Sequence, residues 1–154
     1  MASKRRTLLL AVRTRLRLIT DWNVQFDGVP IAATEAVRIG ISYTGENRVP
    51  ANSEAYDCTL DVRLVVAVRN RDALPGALPD GDEGNPDLYM ERVIEQLEAQ
   101  LNSPDLWESE PLYTDAMVMG HDLLDHGAEL RDRETLAMVH LQFTYQDQRV
   151  VFSE

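Results

Sequence analysis

The sequence is poor in the features on which enzyme chemistry is usually built. It holds one cysteine, Cys58, which excludes an internal disulfide and any Cys-x-x-Cys metal or redox pair. No Gly-rich phosphate loop and no Gly-x-Ser-x-Gly elbow occurs, so the common nucleotide-binding and acyl-transfer mechanisms lose their usual handles. The expectation is a protein that is not an enzyme, needs no cofactor and acts through its surfaces. Long apolar runs are lacking too: none approaches the ~18 residues of a membrane-spanning helix. Lys4, Arg5 and Arg6 precede the apolar run Leu8 to Val12 as in a signal peptide. Arg13, Arg15 and Arg17 interrupt that run short of the ~7–15 residues of an h-region, and no small-residue cleavage site follows. A soluble chain made in the cytoplasm is therefore expected.

Acidic residues are missing from the first 17 positions, which carry six of the 15 Lys and Arg residues. From Asp21 onward nine basic side chains face 26 acidic ones, and the whole chain carries a net charge of -11. Such a body repels phosphate backbones at long range, which argues against sequence-specific DNA binding. The basic start fits an acidic neighbour, and another copy of the same chain would be one. The 154 residues suit a single domain, and at that length roughly 70% of the unfolded chain's surface can be buried. A hydrophobic fraction of 44% beside 27% charged residues is that of a folded protein.

Hydrophobic periodicity gives the elements. From Lys4 to Ile19, Leu8, Leu9, Val12, Leu16 and Ile19 fall on one face of a helix, with Arg6, Arg13 and Arg17 on an adjacent one. The chain to Pro30 then reads as a loop. Val37-Arg-Ile-Gly-Ile-Ser-Tyr43 alternates as a half-buried strand does, and Gly45 to Asn52 reads as a turn. In the next strand Tyr56, Cys58, Leu60, Val62, Leu64, Val66 and Val68 share one face, with Asp57, Thr59, Asp61 and Arg63 opposite. Cys58 thus belongs to the buried row, as a small hydrophobe. Residues 70–85, with Pro75, Pro79, Gly76, Gly81 and Gly84 among acids, predict a long, flexible, acidic loop. Asn85-Pro86 opens a helix to about Leu101, whose stripe Met90, Val93, Ile94, Leu97 and Leu101 packs on a sheet. Leu112–Met119 and Leu136–Tyr145 are strand candidates. The order predicts an α+β fold: a mainly antiparallel sheet with two helices on one face, in one domain spanning 1–154.

Two segments resemble metal sites without completing one. Asp80-Gly-Asp-Glu-Gly-Asn85 lacks the alternating ligands and the twelfth-position Glu of a calcium loop. His121-Asp-Leu-Leu-Asp-His126 places four possible ligands in what reads as an inter-strand loop, with no remote ligand to complete them. No metal is assigned to either. His140 falls on the polar face of its strand and reads as a surface or interface residue.

The order of elements resembles the tail terminator (minor tail, tail completion) proteins of long-tailed bacteriophages. The matching features are the N-terminal amphipathic helix ending near Ile19, the strand Val37–Tyr43, the alternating strand Tyr56–Val68, a variable loop, the helix Asp87–Leu101 and the last strand Leu136–Tyr145. Where the family has Leu-Pro before the first strand this chain has Ala33-Thr-Glu, and its 70–85 loop is long. The resemblance implies a homohexameric ring in the virion tail or neck, assembled in the host cytoplasm. The ring would cap the tail tube protein, end tail polymerisation and meet the head-tail connector. DNA would pass through it without sequence-specific binding and without any membrane. The subunit or partner contacts would fall to Arg6, Arg13 and Arg17, to Asp57, Asp61 and Arg63, and to the loop residues Asp80, Asp82 and Glu83. The alternatives are another connector or neck protein and, from a different class, a small ligand-binding or enzyme domain with the His121–His126 segment near its pocket.

Overall fold

The computed structural model describes residues 4–19, 22–26, 37–69, 86–102, 107, 114–124 and 134–148. Helix α1 (Lys4–Leu16) is followed by β1 (Trp22–Phe26), β2 (Val37–Pro50) and β3 (Ala55–Arg69). Helix α2 (Pro86–Leu101) then precedes β4 (Asp115–Leu124) and β5 (Glu134–Gln148). The strands form one sheet in the order β1-β2-β3-β5-β4. Only β1 and β2 run parallel, and the remaining neighbours are antiparallel. The α+β class and the predominantly antiparallel sheet expected from the periodicities are therefore present.

The sheet's middle is the pair β3 and β5, matched over their full lengths from Ala55 opposite Gln148 to Arg69 opposite Glu134. Strict alternation sends Cys58, Leu60, Val62, Leu64, Val66 and Val68 to one face with Ala137, Val139, Leu141, Phe143 and Tyr145, all buried. Both helices cover that face. Leu8, Val12 and Leu16 of α1, four residues apart, and the α2 stripe Met90, Val93, Ile94, Leu97 and Leu101 join the same core. Trp107, 2% exposed, plugs the end of α2: its indole donates to the Leu101 carbonyl, and its ring meets Phe143 edge-on at 5.0 Å. The last turn of α2 has no basic residue of its own. Arg15 of α1 supplies a cation there by donating to the Gln100 carbonyl at 3.2 Å.

The structure corrects four boundaries. Trp22–Phe26, within the stretch expected to be a loop, is a strand on β2, with Val24 buried and Trp22 and Phe26 packed against the core. Helix α1 stops at Leu16, and Leu18 and Ile19 close it with i→i−3 bonds to Arg15 and Leu16. The turn expected from Gly45 lies later, because β2 continues to Pro50. The chain reverses over Ala51–Glu54, where the Asn52 carboxamide oxygen accepts from the Glu54 and Ala55 amides at 2.7 and 2.9 Å. Finally, β4 begins at Asp115 and runs through the presumed His121 loop to Leu124. The acidic 70–85 segment, Asn85, Leu112, Asp125 and His126 lie outside the described residues.

A β-bulge in each of β2 and β4 changes which side chains face the helices. In β2, Tyr43 pairs with Val62 but Gly45 with Asp61, leaving Thr44 as the extra residue. Before the bulge Val37, Ile39, Ile41 and Tyr43 point toward the helices. After it Glu46, Arg48 and Pro50 do, opposite Leu60, Cys58 and Tyr56. In β4 the register shifts between Val118 and Gly120. Gly120 there adopts a φ of 127°, which a side chain would strain.

Candidate interaction surfaces

The face of β3 and β5 away from the helices is polar and solvent-exposed along its distal half. Asp57 lies opposite Gln146 and Asp61 opposite Gln142. Each glutamine donates to its aspartate, at 3.0 and 3.1 Å. These neutral donors hold the two carboxylates in place without cancelling their charge. Arg63 lies opposite His140 and rests its guanidinium on the Met138 sulfur at 3.9 Å. Asp122 reaches His140 at 3.2 Å. On β4, Met117 and Met119 are 61% and 56% exposed. The opposite, Arg38 end of this face is closed, for Arg38 and Ala67 are fully buried.

The basic face of α1 is largely committed within the chain. The Arg13 guanidinium stacks on Phe26, 4.8 Å from the ring centre. Arg17 donates through both Nε and Nη2 to the Val24 carbonyl, at 3.1 and 2.9 Å. These two arginines dock β1 against the helix, a role that periodicity alone did not reveal. Arg6 is exposed. Of the residues expected to make contacts, Arg6, Arg17, Asp57 and Asp61 are exposed and Arg63 lies on the open face, while Arg13 and Arg17 also hold β1 within the chain. Asp80, Asp82 and Glu83 are outside the described residues.

A charged cluster that periodicity does not reveal lies where the first turn of α1 meets β2, β3 and β5. Its centre is Glu46, whose side chain is 6% exposed. One carboxylate oxygen accepts from Arg48 Nε and, at 3.1 Å, from Arg5 Nη1, and the other accepts from the Tyr145 hydroxyl. Arg48 also pairs with Asp147 at 3.1 Å. Arg5 lies over Tyr43, Arg48 over Tyr56 and Lys4 over Tyr145, with cation-to-ring distances of 5.6 to 5.7 Å. Burial by itself raises the Glu46 pKa, but hydrogen bonds from Arg48 and Tyr145, with the Arg48 and Arg5 charges, hold it below the ordinary carboxylate range. The Tyr145 phenol is pushed far up, by burial first and by Glu46 second. Burial likewise raises the Cys58 thiol, which keeps it an inert part of the buried row. The glutamate was invisible in the sequence because Gly45-Glu46-Asn47 looks like a turn, and only the bulge at Thr44 sends Glu46 inward.

Beside this cluster a cleft of about 700 Å³ opens along the edge of β5, where β4 has not yet begun. Lys4, Asp57, Thr59, Thr114 and Gln146 contribute to its walls. Lys4 Nζ donates to the Gln146 carbonyl at 3.4 Å and Thr114 Oγ1 to the Thr144 carbonyl at 2.9 Å, so side chains cap this stretch of strand edge. His121 and Asp122, neighbours in sequence, point to opposite sides of the sheet: His121 toward Glu91 of α2 at 3.5 Å, Asp122 toward His140. Among the described residues no three His, Cys, Asp or Glu side chains form a metal-holding group, and no helix is long and apolar enough to cross a membrane. No protein-family model matches this chain, and no curated protein is significantly similar to it in sequence.

Proposed function

We propose that this chain is a structural subunit of a bacteriophage tail, a tail terminator that closes into a homohexameric ring on the tail tube and joins it to the head connector. The observation that supports this most is the two-sided sheet. One face is sealed by α1 and α2, while the other exposes Asp57, Asp61, Met117 and Met119 on a rigid paired framework. Rigid, charged and partly apolar faces suit protein contact, since no ordering of the surface opposes association. The basic, acid-free α1 lies on the other side of the sheet. Two unlike surfaces on one subunit favour head-to-tail contacts, which generate closed rings. The acidic character of the chain suits a channel through which DNA slides, because like charge keeps the duplex from adhering.

Native mass measurement of the purified chain, together with its detection in purified virions, tests the proposal. A hexamer present at the tail's head-proximal end is expected, and a strict monomer absent from virions would sink the reading. Loss of a terminator yields overlong tails, whereas loss of a neck connector yields tails of normal length that are not joined to heads. Reversing Asp57 and Asp61 together to lysine should weaken the ring while leaving the subunit folded.

A further inference from the structure

We infer that Glu46 is an acid-released fastener tying the first turn of α1 to the distal ends of β2, β3 and β5, so that protonating this one carboxyl frees the helix start while the apolar core stays closed. The geometry has three parts. First, among the described residues the distal sheet has few neighbours: β1 pairs with β2 only as far as Ile41, and β4 pairs with β5 only as far as Thr144. Beyond those points β2, β3 and β5 form a three-stranded arm.

Second, Arg5 reaches that arm through Glu46, the carboxylate on which β2 and β5 also converge, and beside this half-buried pair the Lys4 bond to the Gln146 carbonyl is exposed and long, at 3.4 Å. The charged and titratable groups facing Glu46 come from every element packed around it. They are Lys4 and Arg5 on α1, Arg48 on β2, Cys58 on β3, and Tyr145 and Asp147 on β5. Protonation removes the shared acceptor charge and leaves Arg5 and Arg48 facing each other across a neutral acid.

Third, the remainder of α1 is held differently. Leu8, Val12 and Leu16 are fully buried, and Arg15 bonds to the end of α2. Acid does not affect apolar burial directly, so release stops near Leu8. Because the folded carboxyl titrates below its ordinary value, its stabilisation is complete above the carboxylate range and is lost as pH falls through the folded value.

Amide hydrogen exchange on the full chain, corrected for intrinsic chemistry, tests this between about pH 7 and about pH 3. Protection at Leu8, Leu9 and Leu10 should fall by about tenfold or more on acidification while Ile94 and Leu97 of α2 hold within about twofold. Glu46→Gln should show the low protection at both pH values. Should that variant fail to fold, Arg5→Gln carries the test, since it severs α1 and leaves the Arg48 and Tyr145 bonds to Glu46; low, pH-independent protection at Leu8–Leu10 is then expected. Loss of protection in α1 and α2 at the same pH would overturn the inference, as would an unchanged pH profile in whichever of the two variants folds.

Discussion

The two halves of β2 are held by different physics. From Val37 to Ile41 the strand lies between β1 and β3, and Val37, Ile39 and Ile41 are at most 1% exposed. From Gly45 to Pro50 its partner among the described residues is β3 alone, and its inward side chains are Glu46, Arg48 and Pro50. Apolar burial secures the first half and responds neither to pH nor to the charge screening that dilute salt brings. Charge-assisted hydrogen bonds secure the second and respond to both. One strand can therefore belong to the global folding unit at one end and to a weaker, condition-dependent unit at the other.

The sharpest way to break this contrast is to cut each half separately. Ile39→Ala should cost about 2–5 kcal/mol and lower the melting temperature of the whole chain equally at all pH values where it folds. Calorimetry across pH checks it. Glu46→Gln should cost about 2–3 kcal/mol at neutral pH, shrinking as pH drops through and below the ordinary carboxylate range, where the native side chain itself is protonated. Urea denaturation at neutral and acid pH reads the difference. Arg17→Ala should cost about 1–2 kcal/mol, because it removes both donors to the Val24 carbonyl, and should raise amide exchange in β1 ahead of β3. Asp61→Asn should change subunit stability by less than about 0.5 kcal/mol, since the site is exposed. If the open face carries the ring contacts, the same change shifts the native mass distribution toward smaller species.

Much of the fold was legible where the signal is local. The rows Tyr56–Val68 and Leu136–Tyr145 alternate without interruption, and their partners confirm the faces assigned to them. The α2 stripe and its end at Leu101 likewise follow from spacing alone. The misread stretches depend on distant residues. Trp22–Phe26 is five residues long and framed by turn-forming residues, so its strand character comes from its place beside β2 and from Arg13 and Arg17. A bulge is a property of two strands in register, so neither Thr44 nor Met119 announces one. For the same reason Glu46 looks in sequence like part of a turn, and His121 and Asp122 like joint occupants of a loop. The charge of the expected contact residues was legible but their partners within the chain were not: Asp57, Asp61 and Arg63 lie on the face away from the helices, while Arg13 and the exposed Arg17 also bind Phe26 and Val24 of β1.

The bulges in β2 and β4 also bear on aggregation. A flat strand edge invites another chain to add on and propagate. The extra residue at Thr44 twists the part of β2 beyond its pairing with β1, Pro50 removes a donor at its tip, and Gly120 bends β4. Deleting Thr44 would straighten that strand while keeping Gly45 opposite Asp61 and Glu46 opposite Leu60, so Glu46 and Arg48 would still face α1. The expected product is a subunit that keeps its Glu46 contacts but aggregates more readily through a flatter strand, which solubility and light scattering at high concentration would read.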